Sequence, residues 1–294
     1  MKNSGLLAFI FVLLAVSLSC SSFSTSAPPT FAPEQTLTPS FTNPASIQDI
    51  EVQPISTSTS TSDTNPIPSL DSTSAEVYNA NMVLVPEGEF TMGNNHNNTS
   101  RNIYVDAYYM DKYEVTNVLY KSCVEAGVCA VPHEEFSASR PSYYGDSEFD
   151  NYPVIYVDWF MAKTFCEWRG ARLPTEAEWE KAARGTDGRT FPWGEDNTAY
   201  AHRIYFVGGI ERDISPYGVY DMGLNVAEWV ADWFSDTYYK DSPLENPLGP
   251  ENGTMRIVRG GAPFNIEPVP VFSRNRQLPS DANDNVGFRC ARVP

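Results

Sequence analysis

Histidine is almost missing from these 294 residues: only His96, His133 and His202 occur, well apart along the chain. Neither a His-x-x-x-His pair nor a Cys-x-x-Cys pair is present, which leaves no imidazole or thiolate set with the spacing of a zinc centre. The Gly-x-Ser-x-Gly turn that exposes a serine nucleophile is missing as well, and no histidine is placed to serve one, so hydrolase chemistry is set aside. Positive charge is scarce too, with 20 Lys and Arg against 37 Asp and Glu and a formal charge of −17. Between Ser21 and Asn79 there is no Lys or Arg and there are six acids, which leaves the rest of the chain near −12 once Lys2 is counted. A nucleic-acid partner needs a basic face to displace counterions, so none is expected.

What is present begins with Lys2, an apolar run from Leu6 to Val16 and small residues ending at Cys20, the three regions of a bacterial export signal. That run is too short to span a bilayer as a mature helix. Cys20, followed by Ser21 and Ser22, reads as a lipidation site, although Ser17 stands where such signals usually carry leucine. Residues 1–20 are therefore expected to be a signal peptide of lipoprotein type, with plain secretion as the alternative. Either route leaves the remainder outside the cytoplasm, membrane-anchored or secreted. Residues 21–79 are dominated by Ser, Thr and Pro and include strict Ser/Thr alternation from Ser56 to Ser62. Such a segment cannot bury enough apolar surface to offset its ordering entropy and is expected to be a disordered tether. Residues 80–294, about 215 in all, suffice for one domain with a substantial core.

Beyond Cys20 four cysteines remain, Cys123, Cys129, Cys166 and Cys290, an even number in an oxidising compartment. Of the three possible pairings, spacing favours Cys123 with Cys129 across a short turn holding Gly127, which leaves Cys166 for Cys290.

Short elements follow from caps and patterning. Met82 to Pro86 and Glu87 to Gly93 read as two strands joined at a glycine, and Val105 to Tyr109 as another. Thr116 caps a helix running to about Ala126, and Asp158 caps a second from Trp159 to Trp168, with Gly170 past its end. Thr175 and Glu178 have capping-box spacing at the head of a third helix, which Gly185 stops; Glu176, Glu178 and Glu180 are read as caps and dipole partners there.

Several stretches then occur in a fixed order: Phe90 to Gly93, Tyr113-Glu114-Val115-Thr116-Asn117, Tyr152-Pro153-Val154, Arg172 to Glu180, Phe191-Pro192-Trp193-Gly194, Tyr217 to Met222, Asn225 with Glu228-Trp229, Arg259-Gly260-Gly261 and Gly287-Phe288-Arg289-Cys290. Together they resemble the formylglycine-generating-enzyme (sulfatase-modifying-factor) family. The resemblance implies a single α/β (α+β) domain with little regular secondary structure, related to C-type lectins. It also implies a Cys166–Cys290 bridge.

In the family's oxidases two cysteines after Arg-Gly-Gly bind copper(I) and activate oxygen, oxidising a substrate protein cysteine to formylglycine. The matching positions here are Asn265 and Pro270, neither of which offers the soft thiolate that copper(I) requires, so copper is not expected. Related enzymes with three-histidine iron use an extra helical domain and a His-x-x-x-His pair; the pair is missing from this sequence, and such chemistry is not expected. The resemblance further implies a structural calcium held by Asp221 and Glu228 with the carbonyls of Leu224 and Val226, a hard-oxygen set suited to that ion. Leu224 replaces the family's usual glycine and is expected to strain the loop. The alternative for the same residues is that Asp221 caps a turn and Glu228 enters a buried ion pair. Relatives hold extended peptide in a groove after Arg-Gly-Gly, and the matching polar candidates are Arg259, Asn265, Arg274, Asn275 and Arg276. Trp229 and Trp233 lie near it, with core packing as the plainer reading of each. A tethered module binding a protein segment or a glycan is the leading expectation; an oxidase of protein cysteine, acting through another arrangement, is the rival.

Overall fold

Short strands and well-capped helices carry the architecture. The computed structural model describes residues 81–94, 100–198, 203–261 and 268–294, so the expected signal peptide with Cys20, the expected tether and Asn265 lie outside the described residues. Strands β1 (Met82–Val85) and β2 (Gly88–Met92) form where expected, but they do not pair with each other. Instead β2 pairs antiparallel with β3 (Arg101–Val105), and β1 with β4 (Tyr108–Asp111). The single strand expected from Val105 to Tyr109 is thus divided: Asp106 and Ala107 interrupt it and its halves join different sheets. In β2 and β3 the alternating Phe90, Met92, Ile103 and Val105 are buried, which is the two-residue period of a half-covered sheet.

Helices α1 (Asn117–Glu125), α2 (Trp159–Trp168) and α3 (Glu176–Arg184) start at the residues their caps foretell. Thr116 accepts from Leu119 N–H, Asp158 from Met161 N–H, and Thr175 and Glu178 form the reciprocal capping box, each arrangement contributing about 1 kcal/mol. All nine residues of α3 are buried, so this helix lies inside the domain. Its Lys181 donates to the carbonyls of Pro86, Gly88 and Val105, tying α3 to the β2–β3 pair. Burial pushes the Lys181 pKa down to about 8.

The second half builds a four-stranded sheet in the order β7 (Arg274–Gln277), β6 (Arg256–Arg259), β5 (Ala227–Trp233), β8 (Val286–Phe288), with β5 and β8 parallel. A short helix α4 (Tyr238–Asp241) follows β5, and β9 (Ala291–Arg292) returns to β4. Two disulfides, Cys123–Cys129 and Cys166–Cys290, match the expected pairing. The second is fully buried in a cluster with Tyr120, Phe165, Trp168 and Phe288, and so joins α2 to the C-terminal strands. A second cluster surrounds Trp179 of α3. The result is a mixed helix-and-strand domain with few helices. Among the described residues no helix is long and apolar enough to cross a membrane.

Candidate functional site

Two neighbourhoods meet at the Arg-Gly-Gly stretch. Gly260 and Gly261 have φ of 62° and 61°, and a Cβ on Gly261 would come within 1.9 Å of the Ala227 nitrogen. On Gly260 it would meet the Met222 carbonyl at 2.5 Å. Only glycine permits this backbone approach, which presses the end of β6 against the segment 222–227.

Arg259, expected on a groove wall, is instead wholly inside the protein. Its Nη1 donates to Glu176 at 2.9 Å and its Nη2 to Glu180 at 2.7 Å, with a further bond to the Val271 carbonyl. Burial alone would lower the Arg259 pKa, but Glu180 and Glu176 reverse that and hold it above the ordinary arginine range. The reading of the helix carboxylates is corrected accordingly: Glu178 caps and also pairs with Arg172, whereas Glu176 and Glu180 pair with Arg259, Arg274 and Arg184. Arg274 faces Arg259 across β6 and β7 and grips Glu176 through Nε at 2.6 Å and Nη2 at 3.0 Å. Nearby, burial and then Glu176 push the pKa of the fully buried Asp232 up to about 8.

Arg274 also lines a cleft of about 310 Å³ with Gly93, Asn94, Asp236, Tyr239, Phe272 and Ser273. Its guanidinium lies 4.4 Å from the Tyr239 ring centroid, and the Tyr239 hydroxyl is buried without a hydrogen-bond partner among the described residues. Asn275 and Arg276 continue along β7, exposed. Arg276 stacks on Phe234 at 4.3 Å and lies 3.8 Å from Asp236 of the cleft, so of the groove candidates Arg274 reaches the cleft, Arg276 adjoins it, and Asn275 falls on the other face of the strand. Pro270 is half-buried, and its carbonyl accepts from Ser273 N–H, a turn that provides no metal donor of the thiolate kind. Trp229 is a core residue, donating to the Val157 carbonyl, while Trp233 lies half-buried under the Arg256 guanidinium at 3.4 Å.

The second neighbourhood is the loop from Asp221 to Glu228. Asp221 and Asn225 have φ of 61° and 59°, a left-handed conformation that short polar side chains tolerate best. Leu224 is not in that region, so the strain expected from the lost glycine does not arise; its side chain packs with Trp193, Tyr205 and Ile210. Glu228 accepts from Arg289 Nη2 at 2.6 Å, from Arg289 Nε at 2.7 Å and from Trp179 Nε1 at 2.8 Å. Those bonds use three of the about four acceptor directions of a carboxylate. Asp221 differs: Oδ2 accepts from Gly208 N–H, and Oδ1 is buried with no partner among the described residues. Burial pushes its pKa up to about 7. Buried Glu114 accepts from Asn225 Nδ2 at 3.0 Å, and burial followed by the adjacent Asp221 raises its pKa well above the usual range. No group of three or more His, Cys, Asp or Glu poised for a metal occurs among the described residues. The orphaned Asp221 oxygen nevertheless leaves one hard acceptor open to a cation, while Glu228 is already committed to Arg289.

Sequence reasoning quoted Glu114 and Arg289 only as parts of motifs and missed Asp232 and Tyr239. A signal existed for Arg289, since its motif adjoins a bridging cysteine. None existed for Asp232 or Tyr239, whose environments are assembled from distant segments.

Residues 69–294 match the family model described as the sulfatase-modifying factor enzyme 1-like domain. The chain is similar to the formylglycine-generating enzyme of Streptomyces coelicolor, 37% identical over 165 residues that cover 48% of this chain and 52% of that protein. It is 30% identical over 236 residues to serine/threonine-protein kinase pkn1 of Chlamydia pneumoniae, covering 72% of this chain and 38% of that protein. The chain thus spans about half the length of one relative and less of the other. Among solved structures, Treponema denticola variable protein 1 shares the fold at TM-score 0.58 and 22% identity, covering 72% of this chain and 95% of that one. With its motifs, fold and glycine-pinched Arg259 placed together, the chain belongs to the sulfatase-modifying factor enzyme 1-like domain family.

Proposed function

We propose that this is an exported, membrane-tethered member of the family that binds a protein segment or a glycan and does not oxidise protein cysteine. One observation carries the reading: every cysteine of the domain is consumed in Cys123–Cys129 and Cys166–Cys290, and Cys20 falls in the expected leader. No thiol remains for copper(I), and Pro270 occupies the second position of the oxidases' pair. Without soft ligands the oxygen-activating step has no metal to run on. The same two disulfides support an oxidising compartment.

What survives is the cleft beside β7, with Arg274, Tyr239, Phe272 and Asp236 offering a mixed polar and aromatic lining, and Arg276 extending it. Such surfaces suit extended segments or sugars. Calcium belongs to this reading as a structural ion at Asp221 and the carbonyls of Leu224 and Val226. It would fix the loop that Gly260 and Gly261 press against, and it supplies no chemistry to a reaction.

The test is to mix the purified protein with copper(I), oxygen and a sulfatase-type cysteine peptide, and to follow peptide mass and copper uptake together. The expected result is an unchanged peptide and copper held no more tightly than by a chelating buffer. Conversion of the cysteine to formylglycine would overturn the proposal.

A further inference from the structure

The loop that would hold calcium contains more buried negative charge than its arginine can neutralise. Glu114, Asp213, Asp221 and Glu228 are each at most 1% exposed. Arg289 is the cation that faces this group, and its contacts are already taken: Nε and Nη2 on Glu228, Nη1 on the Asp111 carbonyl, and Nη2 also on the Tyr220 carbonyl. Asp213 is served by the N–H groups of Gly223 and Leu224. Glu114 has only neutral donors, the Asn225 amide at 3.0 and 3.1 Å and a long contact from Val226 N–H at 3.4 Å. Beside it stands the unpartnered Oδ1 of Asp221. Two neighbouring buried carboxylates with neutral donors or none are costly unless a cation or a shared proton joins them.

Building on the calcium reading above, we infer that the ion's two carboxylates in this chain are Asp221 and Glu114, with Glu228 held aside by Arg289. The pair joins the 221–226 loop to the turn between β4 and α1. Glu114 also lines a second cleft of about 310 Å³ with Asn81, Tyr113, Thr116, Asn151 and Arg169, from which an ion would reach the pair. A site with two carboxylates, carbonyls and water from that cleft provides the six to eight oxygens calcium takes.

The test uses the whole purified protein, stripped with EGTA and titrated with calcium chloride alone, read by thermal melting and by terbium luminescence sensitised through nearby tyrosines. Wild type should gain about 5–10 °C at calcium a hundredfold above its Kd. Glu114→Gln and Asp221→Asn should each lose that gain and the terbium signal, yet melt at or above wild type in EGTA, because one repelling buried charge is gone. Glu228→Gln should melt lower in EGTA and keep the calcium gain. If Glu114→Gln keeps the gain, the inference fails while the calcium reading stands. If Glu114→Gln loses the gain and also melts lower in EGTA, Glu114 is merely structural and the inference again fails. No gain in wild type would sink the calcium reading itself, leaving the shared proton. Should Glu228→Gln not fold, the other two variants decide alone.

Discussion

Removing the two disulfides separately should destabilise the domain very unequally. Cys166 and Cys290 lie 124 residues apart in sequence, Cys123 and Cys129 only 6. A cross-link stabilises largely by restricting the unfolded chain, with a dependence of 1.5 RT ln n on loop length. The long bridge is therefore worth about 5 kcal/mol and the short one about 2, a gap of about 2.7 kcal/mol at 25 °C. Both bridges are buried, so replacing the cysteines by alanine adds comparable small cavities to each and leaves the gap intact. Urea unfolding of Cys123→Ala/Cys129→Ala and of Cys166→Ala/Cys290→Ala, each analysed with its own m-value, measures it. The short-bridge variant should remain folded with a modestly lower midpoint. The long-bridge variant should lose a large share of a stability that is about 5–15 kcal/mol for most domains. Equal losses, or a larger loss from the short bridge, would refute the reasoning and mean that native-state strain or residual unfolded structure dominates.

Arg259→Ala should cost about 3–5 kcal/mol in urea unfolding, because it strands Glu180 and part of Glu176 inside the core; a loss under about 1 kcal/mol would show that Arg274 and Arg184 compensate. Arg259→Lys keeps the charge but not the planar fork, and should recover only part of that loss. Stability should also fall as pH rises from about 4 towards 8: Asp232 is held at about 8 in the folded protein, so it retains a proton that the unfolded chain has already released. Its contribution is complete below the unfolded pKa and lost through the folded one. Asp232→Asn keeps an oxygen acceptor for the Glu176 N–H and should flatten that limb of the pH–stability curve; an unchanged curve would remove Asp232 as the cause.

The helices were legible because their signals are local. Thr116, Asp158 and Thr175 each announce a helix within four residues, and Gly170 and Gly185 mark ends that need a left-handed backbone. The cysteine pairing was legible from spacing. Strand partners were not, since β1 and β2 are adjacent in sequence yet join separate sheets, a choice decided by which distant strand covers each. The candidate site was half legible. Arg274 lines the cleft and Arg276 adjoins it, but Arg259 was placed there because relatives hold peptide in a groove at Arg-Gly-Gly. Its two carboxylates come from a helix 79 and 83 residues away in sequence, and no local pattern reveals that they turn inward. Glu228 shows the same limit: a carboxylate reads as a metal ligand until an arginine 61 residues further on claims it.

Arg259 and Arg274 are direct partners across β6 and β7, and both grip Glu176. They close the base of everything between them like the two jaws of a clasp. The stretch between them ends on Val271, a buried core residue whose carbonyl accepts from Arg259, so its content can change only while that anchor is kept. A lineage could lose a reactive pair from such a stretch, or acquire a new recognition surface, and with Val271 in place the domain that carries it would still fold.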